Sequence, residues 1–208
     1  EIITFTPDEL SNQEECESLI LKHDSNNEDF LISAYWPWKF SNKIVERFSN
    51  NSINFHPSPL PKDRGWYPHV HQIRNKTKSG VTLHVLEDEL DVGSIWAQKE
   101  IQLPFPITAG EAHNMLKKEI ITLFKNNWSL IREKKIKPTK QNGKGNFYSK
   151  FRLDTPEIIE LKENSKEEKL LRILSSRNID KKSFIKIKDY ESSERYIHII
   201  YSEDGELD

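Results

Sequence analysis

Two short apolar runs bracket an amphipathic segment early in the chain, and that arrangement restricts the fold more than any other feature. "DFLISAYW" (29–36) is a continuous apolar run with polar boundaries, the pattern of a strand buried in a parallel sheet. "SINFH" (52–56) reads as a second strand. Between them, Ser41 is placed to cap a helix that carries Ile44, Val45 and Phe48 on one face. Strands alternating with helices predict an α/β domain, its sheet mainly parallel and flanked by helices.

The flanking segments extend this pattern. "EIITF" reads as a short strand, and Pro7 with Asp8 suits the first turn of a helix running to Ile20. A short helix is expected over 68–76. "GVTLHVL" (80–86) alternates Val81, Leu83 and Val85 with Thr82, His84 and Leu86, and "SIWAQKEIQL" (94–103) pairs with it around the acidic loop "EDELDVG". The clearest helix is 108–133, where Thr108 and Glu111 form a capping box ahead of a stripe from Ala112 to Ile131. Beyond it, "REKKIKPTKQNGKGN" is basic and non-periodic, a linker or a loop crossing the surface. Ser165 and Glu168 make a second capping box before "KLLRILSS", and a hairpin follows from 183 to 202. A lone hairpin is marginal in water, so it is expected to pack on the domain or on a second subunit.

Composition excludes several classes. Over 208 residues, 10% aromatics and five Trp argue against disorder despite 31% charged residues. A net charge of −2 gives no global basic field for nucleic acid or membranes. The single cysteine, Cys16, fits a reducing compartment, no apolar run reaches membrane-spanning length, and a cytoplasmic location is expected. Eight Lys or Arg in 132–152 do not make a formed phosphate-binding patch, and the linker reading is preferred.

Chemistry concentrates in "INFHPSPLPKDRGWYP" (53–68). Asn54 and His56 lie two positions apart at a strand end, so they point to one side, where open α/β sheets border their ligand crevice. A His moves protons near neutral pH, and an Asn amide donates to a developing oxyanion. Pro57, Pro59 and Pro61 stiffen the exit loop. Two readings stand at this point, a preorganised site or a pair that merely satisfies loop backbone groups. In "EDELDVG", Leu90 and Val92 flank Asp91, which predicts a carboxylate turned inward; placed near His56 it would raise the imidazole pKa.

"NFHPSPLPKDRG" followed by "GVTLHVLEDELDVGSIWAQ" resembles the core of the folate-dependent formyltransferases, from Asn54 through Gln98. The resemblance implies a Rossmann-like core with Asn54, His56 and Asp91 as the catalytic three, 10-formyltetrahydrofolate as formyl donor, and neither a metal nor a covalent enzyme intermediate. It implies folate contacts at Trp38, Lys39 and Phe40 and at Glu87, Asp88, Glu89 and Leu90; Trp36 and Trp38 can equally be read as packing the loop. "RGWYP" resembles the branch acting on dideoxy amino sugars linked to a nucleoside diphosphate. That likeness implies Lys62, Arg64, Trp66 and Tyr67 at the sugar or phosphate, with Asn146 and Tyr148 of "GKGNFYSKF" closing over the nucleotide, expected to be dTDP. A tRNA-directed member would carry a further barrel-shaped domain, whereas residues 149–208 read as a helix and a hairpin.

The expected division is a catalytic core over 1–138, its first strand–helix unit missing since the family's opening strand lies upstream of Glu1, and a C-terminal part over 139–208 serving dimerisation or nucleotide binding. The alternatives are a glycinamide ribonucleotide or methionyl-tRNA formyltransferase, a formyltetrahydrofolate hydrolase, or a folate- or nucleotide-binding protein without turnover. A homodimer that meets neither nucleic acid nor membrane is expected.

Overall fold

A computed structural model describes residues 2–24, 26, 28–150, 157–160, 167–179, 182–183, 185–188 and 194–196. The elements run α1 (Gln13–His23), β1 (Leu31–Ala34), α2 (Asn42–Arg47), β2 (Ser52–His56), β3 (Arg64–Gly65), α3 (Pro68–Asn75), β4 (Ser79–His84), β5 (Ile95–Ile101), α4 (Ala109–Arg132) and β6 (Phe147–Tyr148). Then follow β7 (Glu157–Glu160), α5 (Glu167–Ser176), β8 (Asn178–Ile179), β9 (Lys182–Ser183), β10 (Ile185–Lys188) and β11 (Glu194–Tyr196). Among the described residues no helix is long and apolar enough to cross a membrane.

The central sheet has the order β1-β2-β4-β5 and is of the expected α/β kind. β1 and β2 pair in parallel, as the intervening α2 requires. β4 runs antiparallel to both β2 and β5, so β1, β2 and β5 share one direction and β4 is the inverted strand. The short acidic loop between β4 and β5 allows only a hairpin, which fixes that inversion.

Register gives the sheet two chemically distinct faces. Ile53 and Phe55 of β2 and Val81 and Leu83 of β4 pack under α4 against Leu116, Ile120 and Ile131, all buried. The alternate residues pair across the joint as Asn54 with His84 and His56 with Thr82. Directly opposed residues project to the same face, so a buried polar surface forms on the side away from α4. Thr108 and Glu111 form the expected capping box, with the Glu111 N–H reaching Thr108 Oγ1 and the Thr108 N–H reaching the Glu111 carboxylate.

A second cluster joins α1 and α2 through Cys16, Phe40, Ile44, Val45 and Phe48. Burial pushes the Cys16 thiol up to about 11, which leaves it a packing residue rather than a nucleophile. α5 lies against α3, where Arg172 donates to the Ile73 carbonyl at 3.3 Å.

The amino-terminal expectations need correction. Residues 2–6 form no strand; Ile2 is 90% exposed, with no strand beside it to pair with among the described residues. The helix does not run unbroken from Pro7. A 3-10 turn covers Pro7–Glu9, the chain extends, and Asn12 then caps α1 by accepting from the Glu15 N–H at 3.0 Å. Ser41 does precede α2, yet its hydroxyl donates to Glu17 at 2.5 Å and ties α2 to α1 instead of capping. The expected hairpin is present as β10 and β11, and β7 adds a parallel third strand to it. Its turn and Ser165, on which the second capping box rests, lie outside the described residues.

Candidate active site

The polar face of β2 and β4 forms the floor of a cleft of about 470 Å³. Asn54, His56, His84 and Asp91 meet there. The Asn54 amide nitrogen lies 3.0 Å from His84 Nε2 and 3.4 Å from Asp91 Oδ1. His84 Nδ1 sits 2.8 Å from the Val85 carbonyl. A carbonyl only accepts, so Nδ1 carries the proton and, in the neutral ring, Nε2 accepts from Asn54. Among the described residues the other N–H of the Asn54 amide has only its long contact to Asp91, which leaves it able to meet a ligand oxygen.

The same reasoning fixes His56. Its Nε2 is 2.9 Å from the Asp63 carbonyl and must donate to it. The lone pair of the neutral ring is therefore on Nδ1, 3.5 Å from Asp91 Oδ2. Burial holds the His56 pKa below the ordinary imidazole value, and the pull of Asp91 in the other direction does not overcome it. This corrects the expectation of a raised value: the raising interaction exists, but removal from water is larger. The resting ring is neutral and can accept a proton. For Asp91, burial alone favours the protonated acid; attraction to the charged forms of His56 and His84, present when a proton is added to either ring, and the Gly65 N–H at 2.8 Å outweigh it, so the carboxylate is held ionised, well below the usual range.

The loop after β2 is fastened to the sheet by Thr82. Its buried hydroxyl donates to the Ser58 carbonyl at 2.6 Å and accepts from the Leu60 N–H and from Gln98. Gln98 also reaches the Leu60 carbonyl at 2.8 Å. Gly65 is required where β3 meets β6: its φ is +87°, and a Cβ there would overlap the Tyr148 carbonyl oxygen.

Of the residues expected at the folate, Trp38, Lys39, Phe40, Glu87, Glu89 and Leu90 line the cleft. Asp88 does not; it pairs with Lys39 at 3.1 Å on the surface. Trp36 packs edge-on to Trp38 and parallel to Phe40, so this loop both packs and lines. Of those expected at the sugar nucleotide, Trp66 and Tyr67 line the cleft, whereas Lys62, Arg64, Asn146 and Tyr148 do not. Lys62 is exposed. Arg64 donates to Gln141 at 2.7 Å, Asn146 bonds Asp63, and Tyr148 stacks on His71.

Four further residues emerge only from the structure. His84 stood in the quoted pattern without a role. Tyr35, His69 and His113 form a chain of ring contacts along one wall. Burial, with His113 and His71 adding to it, pushes His69 down to about 3, and its Nδ1 has no hydrogen-bond partner among the described residues. Tyr35, Tyr67 and Asp91 line the cleft with positive φ, and Asp63, just behind His56, has positive φ as well. Such strain gathers at sites where surrounding structure dictates the backbone.

The sequence profile of the family described as formyl transferase matches residues 3–126. The chain belongs to the formyl transferase family. Among its relatives, the methionyl-tRNA formyltransferase of Finegoldia magna is 33% identical over 116 residues, 55% of this chain and 36% of that one. The chain thus spans about a third of the length of the curated relatives it matches. A 4-N formyltransferase from Francisella tularensis shares the fold, with a TM-score of 0.78 at 24% identity over 92% of this chain and 77% of that one. A formyltransferase from Anoxybacillus kamchatkensis, solved with UDP-4,6-dideoxy-4-formamido-L-AltNAc and tetrahydrofolate, is 33% identical, with a TM-score of 0.56 over 58% of this chain and 64% of that one.

Proposed function

We propose that this chain carries the catalytic centre of an N-formyltransferase that moves a formyl group from 10-formyltetrahydrofolate to the amine of a nucleoside-diphosphate-linked dideoxy amino sugar. The observation that carries the reading is the cluster of Asn54, His56, His84 and Asp91 on the floor of a cleft walled by Trp38 and Phe40 on one loop and by Trp66 and Tyr67 on another. The folate and sugar found with the Anoxybacillus relative support both ligands.

In this mechanism the amine nitrogen attacks the formyl carbon, forming a C–N bond while the carbonyl electrons move onto oxygen. The second N–H of Asn54 donates to that oxyanion. His56 Nδ1 accepts the proton shed by the attacking nitrogen, and Asp91 stabilises the imidazolium. Collapse re-forms the carbonyl, breaks the bond to folate N10, and returns a proton to that nitrogen. Ligand contacts are assigned to Trp38, Lys39, Phe40, Glu87, Glu89 and Leu90 for folate, and to Trp66 and Tyr67 for the sugar.

The methionyl-tRNA relative, 33% identical over 116 residues, favours a second acceptor. The two separate in one experiment. The chain is incubated with 10-formyltetrahydrofolate and either a panel of dTDP-, UDP- and GDP-linked amino sugars or charged initiator tRNA, and products are read by mass spectrometry. A formamido sugar with release of tetrahydrofolate is expected. Formylated methionyl-tRNA and no formamido sugar would overturn the sugar reading.

A further inference from the structure

We propose that Asn146 is a positioning residue for formyl transfer, acting through Asp63 to set which nitrogen of His56 carries the proton; the catalytic part of this rests on His56 being the proton acceptor proposed above. Among the described residues His56 has two polar partners, the Asp63 carbonyl at Nε2 and the Asp91 carboxylate at Nδ1. Both partners are non-glycine residues in the left-handed region, with φ of +54° and +57°. Such residues stay there only when other contacts hold them.

One segment supplies contacts to both. Asn146 grips Asp63, accepting its N–H on Oδ1 at 2.9 Å and donating from Nδ2 to its carboxylate at 3.0 Å. Gln141 grips Asp91, donating from Nε2 to the Asp91 and Gly93 carbonyls, each at 2.8 Å. Its own oxygen accepts from Arg64. The backbone of the same segment continues the attachment, with the Arg64 N–H on the Asn146 carbonyl at 3.1 Å and the Trp66 N–H on the Tyr148 carbonyl at 3.0 Å. Gly145 lies so close to the catalytic loop that a Cβ would sit 2.6 Å from the Pro61 carbonyl oxygen. Residues 139–148 are therefore a strap across the loop that carries the site. Asn146 meets Asp63 with both ends of its amide, which suits it to hold the loop.

The consequence is chemical. While Asp63 presents its carbonyl to Nε2, that nitrogen keeps the proton and Nδ1 offers the lone pair. Without Asn146 the Asp63 peptide is free to leave its strained conformation and Nε2 loses its acceptor. The proton is then better placed on Nδ1, donating to Asp91, and the ring cannot accept another there. A wrong imidazole tautomer lowers kcat without disturbing the ligand sites.

The test uses the full chain with 15N-labelled histidine, in wild type, Asn146→Ala and Asn146→Asp. Asn146→Asp keeps an acceptor for the Asp63 N–H and sets a carboxylate where the amide now donates to the Asp63 carboxylate, a second and independent way to release that residue. The 15N shifts of His56 are expected to report the Nε2–H form in wild type and a shift toward Nδ1–H in the folded variants. In the formyl-transfer assay kcat is expected to fall by about tenfold or more, with KM for folate and for the sugar nucleotide within about threefold. An unchanged His56 tautomer in folded variants would overturn the proposal, as would a raised KM for the sugar nucleotide at undiminished kcat. The nuclear resonance arm needs no turnover, so a chain without formyl transfer would sink the functional reading while still testing the tautomer.

Discussion

Replacing Asp91 by Asn removes one charge from the floor of the cleft and leaves its shape in place. Asp91 Oδ2 lies 3.5 Å from His56 Nδ1, and both side chains are at least nine-tenths buried. In the proposed mechanism His56 accepts a proton in the transition state, and an ion pair then forms at that distance. At the effective dielectric of about 20 suited to protein sites, the attraction is about 5 kcal/mol. Loss of that much transition-state stabilisation lowers kcat by about three orders of magnitude. The amide oxygen introduced by Asp91→Asn would still accept the Gly65 N–H that the carboxylate now takes at 2.8 Å, so the fold is expected to survive. Single-turnover formyl transfer measured beside a thermal melt separates the two effects. A folded variant within about tenfold of wild type would refute the reasoning, because the charge would then have no part in stabilising the imidazolium.

Thr82→Val removes a buried hydroxyl that serves the Ser58 carbonyl, the Leu60 N–H and Gln98. A loss of about 2–3 kcal/mol in urea unfolding is expected, together with a loosened Pro57–Pro61 loop. Gly65→Ala drives a Cβ against the Tyr148 carbonyl in a left-handed conformation; calorimetry should show a lower Tm, and activity should fall with it. His56, His69 and His71 all have folded-state pKa values below the ordinary 6.5, first because of burial. Between the two values the unfolded chain binds more protons, so this contribution to stability is complete above about 6.5 and is lost as pH falls toward about 3, the folded value for His69. A melting series from pH 7 to pH 4 should show falling Tm, and His69→Phe should flatten that slope.

The sequence was most readable where chemistry follows strand period. Asn54 and His56 share a face because they are two apart on β2, and Asp91 turns inward between Leu90 and Val92 as its neighbours suggest. Helix α4, with its capping box and apolar stripe, was equally legible. What the sequence hid is set by distant pairing. That His84 meets Asn54 depends on the β2–β4 register, which no local pattern encodes. Gln141 and Asn146 lie in a basic stretch without periodicity, and their bonds to Asp91 and Asp63 cross 50 and 83 positions. The pKa of His56 lies beyond the sequence for a related reason. A neighbouring carboxylate can be guessed from sequence, whereas the depth of burial that outweighs it cannot.

The most direct measurement of the central claim is formyl transfer by wild type and Asn54→Ala under single-turnover conditions, with folate-analogue binding followed by calorimetry on the same samples. The account predicts that both proteins bind the analogue, that wild type formylates a nucleotide-linked amino sugar, and that the variant transfers at most about a hundredth as fast. Transfer by Asn54→Ala at close to the wild-type rate, with the acceptor saturating, would contradict it.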